Sequence, residues 1–589
     1  MTRGTAPRGR ALLAVAAVAV AFAAADTYVV VLALPDMMAA AGLSADELQR
    51  AAPLVSGFLL GYVGVLPLIG RIADLRGRTP VLVGSLVVFS LGSLVTAAAF
   101  DLPSMVAGRF VQGVGGGGLV PATLALVADL WPPERRGLPL GVVGAVQELG
   151  AVLGPLLGAV VLAVADWRAI FWLNLAVGLV LAGVLVTMGR GTADSRPPDG
   201  RPARSGRLDV VGLGLAGAVL LALPVLMLQP SWLLTDVTLG RAFLPVVGGS
   251  RWLSPLAIAL YGLLGAFLAR QALASLPLLD WRGWRAVLAR TDVLGALLLA
   301  VALGGVVVAF ASADPETAGL SASGAGWLLA ATGGAVLFGW RQRSAADPLI
   351  PRGSLATRAA RGALVVSFLI GAALIAALVD IPFFARLTVH GDSQLDAALV
   401  LVRFLVALPV GAVLGGWATR WVSAGPLTAA GMTLAGIGFA LMARWDADAL
   451  LSPTATVPLV LAGLGFGLAL APVNAALLVA TDRSVHGVAS ALLVVARMVG
   501  MLIGISVLTD LGLRRFYAVA QTIPSVEQLC PTDPTSCPEY GDRLRAAGLA
   551  QLEAVFAGAA VCAALAAVVA LVVFHRVDQL RPTEPAVSR

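Results

Sequence analysis

Apolar stretches of about eighteen residues or more recur along the whole chain, each long enough to cross about 30 Å of hydrocarbon as a helix. In lipid every backbone N–H and C=O must be satisfied within the protein, so stretches of this kind are helices. Segments near 11–36, 51–70, 80–100, 103–130, 138–165, 168–189, 208–229, 253–275, 291–312, 322–341, 362–387, 394–418, 423–443, 454–480, 487–511 and 550–574 read as sixteen spans. Only 12% of the 589 residues are charged and 59% are hydrophobic, too few charges to solvate a globule of this size. The expected class is an all-α integral membrane protein.

Charge placement gives the orientation. The chain has no lysine, and its arginines gather in alternate connections: Arg71, Arg76 and Arg78, then Arg135 and Arg136, Arg190 to Arg207, Arg270 to Arg290, and Arg341 to Arg361. Basic residues are retained on the cytoplasmic side. Both termini are therefore expected in the cytoplasm, with the protein in a bacterial cytoplasmic membrane. This distribution also accounts for the pI of about 10.1, and the arginines are not interleaved with base-stacking aromatics, so no nucleic-acid partner is expected. The first segment mimics a secretory signal, but cleavage after Ala25 would remove most of a span, so it reads as membrane helix.

Cys530 and Cys537 flank "PTDPTS" in the long outer loop 512–549, where oxidation is permitted, and are expected to form a disulfide. Cys562 falls in the last span and reads as packing. His390, His486 and His575 lie at or beyond span ends without metal-ligand spacing, so no metal is expected. A phosphate-binding P-loop needs a lysine, and no serine lies in a G-x-S-x-G elbow. ATP-driven transport within this chain is therefore excluded, no elbow for a serine hydrolase is present, and no cofactor is expected.

The two ends of the chain repeat one another. Laying "GLPLGVVGAVQELGAVLG" from Gly137 on "GVASALLVVARMVGMLIG" from Gly487 brings Gly150 onto Gly500, Gly154 onto Gly504 and Gln147 onto Arg497. The preceding spans match more loosely, with Pro121 and Pro472 in corresponding places. Residues 1–190 and 362–575 make two six-span halves. Between them, 191–361 holds four spans, of which about 200–290 look like an inserted pair, and 576–589 is a tail. Repeated halves with a site at their interface are a common plan for secondary transporters.

Local motifs sharpen that plan. In "GRIADLRGRTP", Gly70, Asp74, Gly77 and Arg78 fit the G-x-x-x-D-x-x-G-R loop of the major facilitator superfamily, which the chain resembles; in that family the loop latches the cytoplasmic gate. "GRFVQGVGGGG" resembles the family's R-x-x-Q-G pattern at Arg109 and Gln112, and "GAVQELGAVLGPLLG" its antiporter motif at Gly150, Gly154, Pro155 and Gly158. Glu148 lies about ten residues inside that span, sharing a face with Gly144, Ala151, Pro155 and Gly158. "ADTYVVVLALP" resembles the first-span signature of fourteen-helix drug:proton antiporters through Asp26, Ala33, Leu34 and Pro35, with Tyr28 where threonine is usual. "DTYVVV", "LLGYVGVLPLIGR" and "HGVASALLVVARMVGMLIG" are similar more narrowly to mycobacterial members that export triacylglycerol-type lipids beside a periplasmic lipoprotein.

That resemblance implies a proton-coupled exporter of a lipid or lipophilic molecule, working by alternating access with lateral admission of substrate. It makes Asp26, Glu148 and Arg497 coupling residues and links Arg109 to proton transfer. Arg403 sits at a depth similar to Glu148 and is expected to face it, with Asp380 as the alternative partner. Gln112, Gln147 and Asn474 are the cavity's polar groups. An extracytoplasmic lipoprotein is a candidate partner, and loop 512–549 a candidate shield for a lipid exit path or docking place for that partner. Multidrug:proton antiport is the close alternative, and a membrane-embedded lipid-modifying enzyme the alternative of another class.

Overall fold

The computed structural model describes residues 7–43, 48–189, 209–274, 278, 281–311, 322–389, 394–530 and 537–575. Six helices build the first bundle: α1 (Pro7–Ala40), α2 (Leu48–Arg76), α3 (Arg78–Ala98), α4 (Leu102–Leu130), α5 (Gly137–Val164) and α6 (Arg168–Gly189). Between the bundles, among the described residues and apart from the single turn Ser231–Leu234, come α7 (Val210–Leu228), α8 (Pro255–Leu273), the short α9 (Trp281–Ala289), α10 (Val293–Ala311) and α11 (Ala322–Ser344). The second bundle comprises α12 (Arg358–Leu387), α13 (Gln394–Ala418), α14 (Ala424–Met442), α15 (Thr456–Val479), α16 (His486–Ala520) and α17 (Pro538–Phe574). No strand occurs among the described residues.

Every expected span carries a long helix. Among the described residues, fourteen helices are long and apolar enough to cross a membrane, or up to fifteen if the bent pair α9–α10 is one span. The sixteenth expected span, α11, falls outside that count, since its glycines, serines, Arg341 and Arg343 dilute its apolar run.

Short polar signals set the helix ends. Asp101 accepts from the Ser104 N–H at 2.9 Å and caps α4. Thr357 and Ser254 cap α12 and α8 in the same manner. Gly77 alone separates α2 from α3, and its φ of 95° is a conformation that side chains disfavour.

The same helix pairs recur in both bundles. In the first, α1 packs on α5, α2 and α3 on α4, and α3 on α6; in the second, α12 packs on α16, α13 and α14 on α15, and α14 on α17. The repeated glycines do the same work in each. A Cβ on Gly150 or Gly154 would lie 2.1 or 2.4 Å from the carbonyl oxygens of Ala21 or Ala25. Its counterpart on Gly500 would lie 2.0 Å from the Phe368 oxygen, and on Gly504 2.6 Å from the Ala372 Cα. A glycine at each of these positions lets the neighbouring backbone approach this closely.

The intervening helices hang on one side. α10 packs against α2 and reaches α16, covering the seam between the bundles there, and pairs with α11. The α7–α8 pair touches the first bundle mainly through α3. Asp209 caps α7 through the Gly212 N–H and pairs with Arg270 on α8 at 2.9 Å, which together hold its carboxyl below the usual carboxylate range. At the other end of the pair, the Arg251 guanidinium stacks 4.2 Å over Phe100.

The stretch 512–549, expected as a loop, is largely helical. α16 continues to Ala520 and α17 begins at Pro538, and the two helices pack on one another. Cys530 and Cys537 are joined in a disulfide at the tip, with their Cα atoms 5.7 Å apart.

Candidate functional site

Polar groups inside the helices collect at three levels. The first lies within the first bundle. Asp26, on α1, is 2% exposed, and its Oδ2 pairs with Arg109 Nη1 from α4 at 2.7 Å. Arg109 Nη1 also donates to Gln112 Oε1 at 2.6 Å, while Gln112 Nε2 donates to Asp26 Oδ1 and to Ser93 Oγ, both at 3.0 Å. Asn174 of α6 donates to the same Asp26 Oδ1. The remaining Arg109 face lies 4.5 Å from the Phe58 ring, and its Nε donates to the Leu54 carbonyl. The carboxylate therefore has a charge partner and hydrogen bonds on both oxygens, the condition for keeping an ion inside apolar surroundings. Beside it a crevice between α1, α5 and α6 is lined by Ala25, Gly158, Val161 and Asn174.

The second level is a narrow cavity between the bundles, with a volume of about 30 Å³. Its walls are apolar except for Gln147 and Glu148 of α5, Ser367 of α12, Asn474 of α15 and Arg497 of α16. Glu148 Oε1 stands 4.0 Å from Arg497 Nη1, so the pair joins one bundle to the other. Gln147 Nε2 lies 3.5 Å from the same Glu148 oxygen. Asn474 and Ser367 turn their side chains to the backbone, donating to the Leu470 and Leu493 carbonyls at 2.9 Å.

The third level is a latch at the arginine-rich end. Asp74 of α2 accepts from the Gly487 and Val488 N–H groups at 2.7 and 3.0 Å, capping α16 from across the interface. Arg78 pairs with Asp74 at 2.6 Å and with Asp129 at 3.1 Å. A Cβ on Gly70 would lie 2.6 Å from the Gly487 oxygen, so glycine is required there. On the other seam, Gly137 and Gly141 of α5 meet Gly416 and Ala412 of α13 equally closely, whereas at Gly144 a Cβ would meet nothing within 4 Å. The bundles are thus zipped at the arginine-rich end and part where the cavity begins.

Asp26, Arg109 and Gln112 come together, as do Glu148, Gln147, Arg497 and Asn474. The two groups are separate: Asp26 lies inside one bundle and not in the cleft. Arg403 corrects the expectation that it faces Glu148, for its side chain is exposed and donates to Thr456 Oγ1 at 3.1 Å. Glu148 is met by Arg497 instead. Gly158 lines the crevice, while Pro155 lies in α5 with a side chain outside the described residues. Sequence reasoning missed Asn174, Asp129 and Ser93. The signal for Asn174 was present, a single amide inside "IFWLNLAVGLVLAG".

Two pseudo-symmetric six-helix bundles around a central cavity, latched by an Asp–Arg turn, define a membrane transporter rather than an enzyme. The chain belongs to the Major Facilitator Superfamily, whose family model matches residues 16–339. It is 36% identical over 509 residues to a triacylglyceride transporter of Mycolicibacterium hassiacum, covering 85% of this chain and 78% of that protein. Over 603 residues it is 32% identical to the triacylglyceride transporter of Mycolicibacterium smegmatis, covering 98% and 90%. The Mycobacterium tuberculosis protein of that name is 35% identical over 522 residues, covering 86% and 83%. Among solved structures, the fold is similar to the proton:xylose symporter XylE, with a TM-score of 0.53 at 14% identity over 96% of this chain and 95% of that one. The human organic anion transporter MFSD10 gives 0.51 at 15%, over 96% and 100%.

Proposed function

We propose that the chain exports a triacylglyceride-like lipid from the cytoplasmic membrane by alternating access, driven by protons moving inward. The reading is carried by the Glu148–Arg497 pair, which spans the two bundles at 4.0 Å inside a cavity whose other lining is mostly apolar, apart from Gln147, Ser367 and Asn474. An apolar cleft suits a lipid, and the relatives named above are triacylglyceride transporters. Protonating Glu148 removes its attraction for Arg497 and lets the bundles separate. Asp26, held by Arg109, Gln112 and Asn174, is the second proton site, and its protonation frees a buried arginine to change partners.

With the arginine-rich end in the cytoplasm, as the positive-inside rule directs, both termini are cytoplasmic and this state is closed inward. Because α10 covers the α2–α16 seam, lipid would enter between α5 and α13, whose Gly137–Gly416 and Gly141–Ala412 contacts must open first. The stapled α16–α17 projection then stands outside, where a lipoprotein partner would receive the cargo.

Proteoliposomes loaded with a pH-sensitive dye and given labelled triacylglycerol, diacylglycerol or a fluorescent cation test this reading. Lipid movement together with proton flux is expected, both lost in Asp26→Asn. Unchanged flux in that variant, or transport of the cation alone, overturns it.

A further inference from the structure

Between the inserted pair and α10 lies α9, whose nine residues the transport mechanism does not use. Its axis is bent 70° from α10, so beside that span it runs close to the membrane plane. Trp284 and Val287, one turn apart, rest against the core of the first bundle. The Trp284 ring lies 5.6 Å from the Arg76 guanidinium, a cation–π distance. Arg76 ends α2 within the turn that carries Asp74 and Arg78, so α9 touches the element that latches the bundles.

The other face of α9 is open. Arg285 and, just past the helix, Arg290 are exposed, and Leu288 beside them is 40% exposed. No acid occurs in 281–290, and the nearby Asp292 is taken by Arg341 at 3.0 Å and by the Gly295 N–H. An in-plane helix with a packed apolar side, arginines that pair with no acid among the described residues and an apolar residue at the boundary matches the chemistry of an anionic leaflet surface.

We propose that α9 binds anionic phospholipid headgroups through Arg285 and Arg290, and that through Trp284 and Arg76 this contact holds the 70–78 turn latched. The transporter is then sensitive to the composition of the leaflet at its arginine-rich end. This goes beyond the export reading and depends on neither cargo nor proton.

The test uses the full chain in nanodiscs of phosphatidylcholine, alone or with phosphatidylglycerol, followed by hydrogen–deuterium exchange of peptides covering 281–290 and 70–78. Anionic lipid is expected to slow exchange in both. R285Q/R290Q, altered at exposed positions, is expected to abolish the slowing and weaken anionic-lipid affinity about thirty-fold, at about five-fold per arginine near such a surface. W284A is expected to keep protection at 281–290 and lose it at 70–78. Equal exchange of the unaltered chain in the two bilayers, or slowing that survives R285Q/R290Q, overturns the lipid site. Protection of 70–78 that survives W284A overturns the link to the latch. Neither readout involves transport, so these failures are distinct from failure of the export reading.

Discussion

An aspartate near mid-membrane costs about 2.5–3.5 kcal/mol on insertion scales, and Asp26 keeps its place because Arg109, Gln112 and Asn174 surround it. Asp26→Asn leaves Arg109 buried without its counter-charge. Removing one member of a buried pair costs about 3–5 kcal/mol, so a clear fall in melting temperature is expected. Adding Arg109→Gln removes the stranded charge and is expected to recover much of that loss, measured by thermal unfolding in detergent, while proton flux stays absent. Recovery of flux would show that Asp26 and Arg109 only hold the bundle together. For Asn174→Leu, which deletes one donor to the carboxylate, a smaller loss of about 1–3 kcal/mol is expected, with an altered pH dependence of proton flux as the check on a positioning role.

Individual polar residues were legible in the sequence because an ionisable group inside an apolar stretch stands out. Their grouping was less so. Counting inward from a span's end gives depth but not the direction a side chain faces, which is why Arg403 was set opposite Glu148 while its real neighbour is Thr456. Asn174 passed unnoticed because one amide hardly alters the hydropathy of its span.

At the scale of helices, apolar runs marked every long helix, and the superimposed glycines marked the corresponding contacts of α5 and α16. The ends of α16 and α17 were not legible. A hydropathy reading stops where apolar residues stop, whereas the helix continues through "TDLGLRRFYAVA" because those residues still form it and pack on α17. The glycine pairs allow a symmetric test. Gly154→Leu drives a side chain into Ala25, next to Asp26, and Gly504→Leu drives one into Ala372. Overpacking of this kind costs about 1–3 kcal/mol, so both are expected to lower the melting temperature comparably. Gly154→Leu is expected to impair proton flux more than Gly504→Leu, since it presses on Ala25, the residue next to Asp26. Equal impairment by both would place the effect in general loosening of the bundles.

For the whole molecule, the decisive balance is between the latch and the force that opens it. Asp74 accepts two N–H groups at the start of α16 and pairs with Arg78. Hydrogen bonds to a charged group contribute about 1.5–3 kcal/mol each, so the two backbone bonds alone supply about 3–6 kcal/mol by the same measure. Inverting a 99:1 population takes about 5.5 kcal/mol, while one charge crossing 100 mV supplies about 2.3 kcal/mol. The latch is therefore of the size that sets which end is open; one charge crossing 100 mV falls short of it, whereas two charges, at about 4.6 kcal/mol, fall within its range. Asp74→Ala is expected to shift the protein toward opening at the arginine-rich end. Val494, on the cavity wall, serves as the reporter when replaced by cysteine in a chain whose free Cys562 is made serine. With Asp74 intact, an impermeant thiol reagent is expected to reach Val494→Cys from the side opposite the arginines; with Asp74→Ala, labelling from the arginine-rich side is expected to rise several-fold. Adding Glu148→Gln removes the second tie between the bundles and is expected to increase that labelling further. If labelling from the arginine-rich side does not change in either variant, the Asp74 contacts are not what closes that end.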